Sequence, residues 1–484
     1  MSPPAAVQVQ PPAALPPIAR VARGGPLPAT FYQQWGWESL NGRASHDFNL
    51  AFAVRFACVL SLPALAASLR ELERRQEALR TFLVPAADEP WTVCQVIHSP
   101  GSLEIPLIDL SLLSPEQREG ELGRLALEEA VRPLDVARPM VRVRLVRLAG
   151  TDHVLLFTLG HLVCDGWSIE ILRGELAALY EAFAAGRPSP LPELSVQLAD
   201  FAAWQHGIER SEAMAAQLAY WRKRLAGLPR PLVLSGDWRP ERHGGTEQAA
   251  CCVSVADTAR LRRLARAEEC SPPMVILTAF GMLLAVYTGE TDLVIEGKVL
   301  GRMQPELGPV VGLFMSSLPH RLDLSSRSGF AEALRRTRDG VLADYERQDV
   351  TYPQLLRSLF PGRRYLSRIG LNVRISPRPA SFEIRDREEE IFSSNGRWPD
   401  VAQAKYDLLL DVHDDGERIR LMLLAAAPRF HRETVAEMVV DLEALLLGAL
   451  AVPSAPARRL LPAPRFRHAR RAPSQVVVSS FELP

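Results

Sequence analysis

Lysine is nearly missing from this 484-residue chain: of 56 basic residues only Lys223, Lys298 and Lys405 are lysines. The imbalance reads as a bias toward arginine codons rather than as guanidinium forks placed for recognition. Net charge is missing too, with 56 acidic residues against the 56 basic ones. That excludes, for the chain as a whole, the positive field by which nucleic acid or an anionic membrane is bound. The six cysteines (Cys58, Cys94, Cys164, Cys251, Cys252, Cys270) form no CxxC pair and no Cys/His spacing suited to a tetrahedral metal site. They read as reduced core thiols, and no metal is expected. No apolar run reaches the roughly eighteen residues of a membrane span without a charge or breaker. Prolines at Pro3 and Pro4 stand where a signal peptide would begin its apolar stretch. A soluble, cytoplasmic protein is therefore expected, without contact to nucleic acid or membrane.

What is present is a globular composition, 47% hydrophobic, with tails of different character at each end. Residues 1–28 hold eight prolines and read as a disordered tail. Residues 450–484 carry Arg458, Arg459, Arg465, Arg467, Arg470 and Arg471 against the single acid Glu482, and read as a flexible Arg/Pro-rich tail. The strand-prone end from Val476 to Pro484 is a possible docking segment. The body between them is too long for one ordinary domain and suggests lobes over 29–195 and 196–449.

Helical and strand periods alternate through that body. Leu62, Leu65, Leu69, Leu72 and Leu79 form the apolar stripe of a helix over 61–80 that Ser61 starts. Val141 to Leu148 and His153 to Leu159 read as neighbouring strands joined at Gly150. A helix follows with Ile169, Leu172, Leu176, Leu179 and Phe183 on one face, and Asp165 or Ser168 placed to cap it. Further helices are predicted near 273–288, 330–345 and 432–447, and strands near 292–297, 368–375 and 406–413. The fold class is α/β with mixed sheets.

The most informative stretch runs from Leu159 to Ser168. A histidine, His161, closes a buried strand, and Asp165-Gly166 opens a helix four residues later. Imidazole, carboxylate and helix N-terminus thus share one turn, a plausible acid/base site. Gly166 permits close backbone approach, and the amides at the helix start are candidate oxyanion donors. On the local pattern alone, a structural histidine beside an N-capping aspartate is the alternative. Cys164 reads as packing, Trp167 as core or tunnel wall, and Ser168 as a helix cap, since no GxSxG surrounds it.

His-x-x-x-Asp-Gly resembles the HHxxxDG motif of the condensation domains of nonribosomal peptide synthetases, in the chloramphenicol acetyltransferase-like superfamily. Other stretches resemble that family in the same order: Pro28 to Trp35, Arg75 to Phe82 against (H/Q)ExLRTxF, and Asp200 to Gln205 against YxDFAxWQ. Tyr220 to Pro229, Val311 to Arg321 against GxFVNTLPLR, and Arg347 to Leu355 against HQDVPFExL follow. The likeness covers about 29–449.

The resemblance implies a pseudo-dimer of two acetyltransferase-like lobes in a V with a central tunnel, where phosphopantetheine-borne substrates meet at His161. By that reading His161 is the catalytic residue, either as a full base or as a group that orients the nucleophile. Asp165 pairs with Arg302 from the other lobe as an active-site structural pair, and Gly166 is an oxyanion or backbone contributor. Trp167, Ser316 and Ser317 are possible tunnel or substrate residues. No cofactor is bound by the chain itself. The expected partners are a donor acyl or peptidyl carrier arriving in trans and an acceptor that is a second carrier or a free amine or alcohol. A free-standing monomer is expected. Two departures stand out: Gly160 replaces the first motif histidine, and Ser316-Ser317 replaces Asn-Thr. An acyl-CoA-dependent transferase of the same superfamily and a non-catalytic carrier-recruitment domain are the alternatives.

Overall fold

The computed structural model describes residues 15–461 apart from 47, 87–91, 102, 229–230, 233, 235–244, 325–328 and 376–405. Strands β1 (Leu27–Pro28), β3 (Thr81–Pro85) and β4 (Val93–Ile97) form a small sheet in the order β1-β4-β3. A second sheet, in the order β2-β7-β6-β5, uses β2 (Asn49–Phe56), β5 (Leu107–Asp109), β6 (Val141–Ala149) and β7 (Asp152–Gly160). Its strands are antiparallel except β5 with β6. One face takes helix α2 (Leu62–Arg75) and helix α4 (Gly166–Ala184), whose leucines Leu65, Leu69, Leu72, Leu172, Leu176 and Leu179 join Phe52, Phe157 and Leu159 in one core. The Phe52 and Phe157 rings lie directly across the β2–β7 ladder and stack at 4.7 Å.

The second lobe is built on six strands in the order β10-β9-β11-β12-β13-β8. These are β8 (Thr246–Val253), β9 (Asp292–Val299), β10 (Ser316–Asp323), β11 (Ile369–Ile375), β12 (Leu408–Asp414) and β13 (Ile419–Ala426). β11 runs parallel to both β9 and β12, so this sheet is mixed as well. Its core face is covered by the apolar helix at Pro272–Thr288 together with Phe330–Tyr345 and Arg432–Ala451.

The predicted helix over 61–80 breaks at Arg75. Gln76 takes an extended backbone (φ −101°, ψ 97°), and a 3-10 turn fills Glu77–Arg80. The cause is tertiary: the buried Gln76 amide accepts from Val311 N at 2.9 Å and donates to Pro309 O at 3.0 Å.

The expectation of a disordered tail through residue 28 is corrected for residues 15–28. Asp200 accepts Val21 N at 2.7 Å and both Nη atoms of Arg23 at 2.8 and 2.9 Å, while Arg23 Nε reaches Glu77 at 2.9 Å. Ile18 enters a cluster with Phe201, Trp204 and Phe314, and Trp204 Nε1 donates to Pro16 O at 2.7 Å. Specific contacts outweigh the composition. Likewise the expected flexibility from residue 450 is corrected for residues 450–461, where Ala455 and Leu461 are buried. The possible docking segment at 476–484 lies outside the described residues. No single helix among the described residues is long and apolar enough to cross a membrane.

Candidate active site

β7 ends at Gly160, paired with Asn49, and His161 N extends the ladder by one bond to Phe48 O at 2.6 Å. The chain then turns, with Val163 N donating to Gly160 O at 3.0 Å, and Leu162, Val163 and Cys164 are buried. This places His161 on the rim between a buried strand and the first residue of α4. Its Nδ1 lies 2.7 Å from the carbonyl oxygen of Cys164. A carbonyl only accepts, so Nδ1 carries the proton and Nε2 keeps its lone pair in the neutral ring.

Burial pushes the imidazole pKa below its ordinary value. The Cys164 carbonyl and Asp165 oppose that shift, and the Lys298 ammonium adds to it. The ring is thus held ready to accept a proton at Nε2. Cys164 itself is buried and raised well above the ordinary thiol range by desolvation, with Sγ donating to Gly160 O at 3.4 Å. It packs, as the sequence suggested.

Asp165 is the N-cap of α4, accepting Ser168 N at 2.9 Å in a reciprocal capping box. The same carboxylate receives Arg302 Nη2 at 3.1 and 3.3 Å, Phe314 N at 3.1 Å and Met315 N at 3.2 Å. Arg302 is buried with it, lies over the Phe314 ring at 4.3 Å, and spends Nη1 on the carbonyls of Leu307 and Val310 at 2.6 Å each. Every oxygen of Asp165 is committed to protein, so it shapes the loop. Asp165 and Arg302 thus form a buried, hydrogen-bonded ion pair.

The segment that brings Arg302 over is the long loop joining the antiparallel neighbours β9 and β10. Gly301 has φ +65°, and a Cβ there would lie 2.0 Å from Phe314 O, so only glycine fits the turn. Val311 is buried in the first lobe's core, and Gly312 N donates to Ser168 Oγ at 3.1 Å.

The other expected site residues divide. Gly166 opens α4 and is exposed, with open space where a Cβ would project. Trp167 is not core: it is 40% exposed, and its Nε1 donates to Gly308 O at 3.3 Å. Ser316 and Ser317 are buried at the start of β10. Ser317 N donates to Tyr32 OH at 2.7 Å, and Ser317 Oγ accepts Lys298 Nζ at 2.8 Å. These serines thus join helix α1 (Phe31–Leu40) to the second lobe.

Sequence reasoning missed Tyr32, Lys298 and the buried carboxylate Glu296, which Tyr352 and Tyr406 hold by their hydroxyls. The usable signal was strand alternation in β9, which puts Glu296 and Lys298 on one face and Leu293 and Ile295 on the other, in the core. Gly160 also gains a cause. A Cβ there would sit 2.7 Å from Met140 Cβ and 2.9 Å from its sulfur, so Met140 fills the space a side chain would need.

Comparison with known proteins places this geometry. The family model described as Condensation domain matches residues 25–469. A linear gramicidin synthase of Brevibacillus parabrevis is 36% identical over 350 residues, 71% of this chain and 7% of that protein. Phosphinothricin tripeptide synthetase PhsB of Streptomyces viridochromogenes is 33% identical over 445 residues, 90% of this chain and 37% of that one. The chain thus spans well under half the length of these relatives.

Among solved structures, the teicoplanin-biosynthesis X-domain in complex with OxyB superposes with TM-score 0.75 at 26% identity, covering 92% of this chain and 98% of the X-domain chain. SgcC5 of Streptomyces globisporus gives TM-score 0.70 at 26% identity, covering 89% of this chain and all of SgcC5. The mixed-sheet architecture is that of the chloramphenicol acetyltransferase-like fold. With the family matched over nearly the whole described body, the chain belongs to the condensation domain family.

Proposed function

We propose that this chain transfers an acyl group from the phosphopantetheine thioester of a carrier protein to an amine or hydroxyl acceptor, in nonribosomal peptide or hybrid polyketide antibiotic biosynthesis. The observation that carries the reading is the His161 ring. Its Nδ1 proton is anchored on the Cys164 carbonyl and its Nε2 lone pair is left to act as base. The acceptor's lone pair attacks the thioester carbonyl carbon while its N–H or O–H proton passes to Nε2. The tetrahedral adduct collapses, the C–S bond breaks, and the departing thiolate takes the proton back from the imidazolium. The products are an amide or ester and a free pantetheine thiol. Proton transfer by a positioned base supplies about 10²- to 10⁴-fold, and holding both reactants in one site supplies more. Asp165 and Arg302 act by shape, and Gly166 leaves room beside the helix amides. The partners are a donor carrier, docking through a small, salt-sensitive surface, and an acceptor that is free or carrier-bound.

Likeness to the X-domain in its OxyB complex favours one second reading, recruitment of a partner enzyme without transfer. Incubating acyl-loaded carrier with candidate acceptors and this protein separates them. Loss of the acyl group with formation of an amide or ester supports transfer, and binding of loaded carrier without transfer supports recruitment.

A further inference from the structure

Lys298 is one of only three lysines in a chain whose default cation is arginine. At this half-buried position the cation is a lysine, a compact point charge. The structure holds that charge in place. Lys298 stands directly opposite Ser317 in the β9–β10 ladder and donates to its hydroxyl at 2.8 Å. Its Nζ also lies 5.2 Å from the centroid of the Tyr406 ring.

Ser317 follows by two residues Met315, whose amide is bonded to Asp165, so the lysine is tied through one short segment to the loop that carries His161. Among the described residues, the charged groups that act on the imidazole are Asp165 from its own loop and Lys298 from β9, with the Cys164 thiol on the same loop. Arg302 is spent on Asp165 and two carbonyls. Tyr32 lies behind Ser317, and Glu296, two residues from Lys298, is held by Tyr352 and Tyr406. Among these, Lys298 is the cation that β9 carries to the segment bonded to Asp165.

We propose that Lys298 is a further catalytic residue of this site: an ammonium held on Ser317, next to the segment bonded to Asp165, that stabilises the negative charge developing on the thioester carbonyl oxygen. The inference rests on the condensation reading. A thioester adduct places an oxyanion beside a base that has just become cationic, and a fixed charge needs no reorganisation as that oxyanion forms. The same field opposes protonation of His161, so one residue favours both the neutral base and the anionic adduct.

The test compares wild type, Lys298→Met and Lys298→Arg as full chains, assayed with acyl-loaded carrier well below each protein's melting temperature. A second readout follows the His161 ring by NMR of ¹³C-histidine-labelled protein against pH, with His161→Ala supplying the assignment. The expected result is a loss of about 10²- to 10³-fold in kcat for Lys298→Met, with the acceptor KM little changed. Lys298→Arg recovers most of the rate, and the His161 midpoint rises in Lys298→Met alone. A Lys298→Met rate within about threefold of wild type, or an unmoved His161 midpoint, overturns the proposal. Wild type inert with every loaded carrier defeats the condensation reading instead, and with it the catalytic role of Lys298, while the NMR midpoint still shows whether the ammonium charges the site.

Discussion

Arg302 Nη2 lies 3.1 and 3.3 Å from the two carboxylate oxygens of Asp165, joining the β9–β10 loop to the cap of the helix that follows His161. Both side chains are almost fully buried, so the pair is more costly to break than to have. Asp165→Asn leaves the guanidinium buried against an uncharged cap, and Arg302→Met leaves the carboxylate with only the Ser168 hydroxyl and backbone amides as donors. Each is expected to lower stability by about 3–5 kcal/mol and to lower transfer at temperatures where the protein remains folded. Urea unfolding beside the transfer assay checks both effects.

Gly160 makes a separate prediction, because Met140 occupies the volume above it. Gly160→Ala overpacks that contact and is expected to cost about 1–3 kcal/mol. Met140→Gly in the same chain removes the contacting Cβ, Cγ and sulfur, so the double variant should be more stable than the sum of the singles implies. Additive losses in denaturant melts would show that the backbone, and not Met140, excludes the side chain.

The rate should titrate with His161. Burial favours the neutral ring, so its folded midpoint lies below the ordinary imidazole value of about 6.5. Transfer is therefore expected to be flat through neutrality and to fall as pH drops through that depressed midpoint. The stability sign runs the same way. Between the unfolded and folded midpoints only the unfolded chain binds this proton, so the His161 contribution is complete above the unfolded value and is lost as pH falls. A kcat profile whose acid limb lies above 6.5 would contradict the assignment.

Arg23 predicts a stability effect far from the chemistry. It joins Glu77 to the buried Asp200, and Arg23→Leu removes three charge-assisted bonds from that pair. The guanidinium is partly exposed and is discounted accordingly, so a loss of about 1.5–3 kcal/mol is expected. An unchanged melting temperature would show that residues 15–23 lie on the body without holding it.

Local sequence carried a good part of this architecture. The leucine stripes of α2 and α4 and the strands ending at Gly160 are readable because each buries a face whose period is written in neighbouring residues. His161 and Asp165 share a turn and were legible for the same reason. Arg302 sits far along the chain, and only the ordered set of family motifs pointed to it. Contacts decided by tertiary register were not legible: Lys298 against Ser317 needs the β9–β10 pairing, and Gly160 needs the position of Met140. The end of α2 at Arg75 depends on Gln76 reaching Val311, a partner from the other lobe. Residues 15–28 misled because proline content describes chain stiffness and says nothing of one arginine between two buried acids.

The most direct measurement is intact mass spectrometry of an acyl-loaded carrier incubated with acceptor amines and alcohols, with wild type and with His161→Ala. The account predicts that wild type strips the acyl group from the carrier and forms an amide or ester. His161→Ala, folded by its melt, should do so at least about 10²-fold more slowly. Transfer by His161→Ala at the wild-type rate would contradict the account.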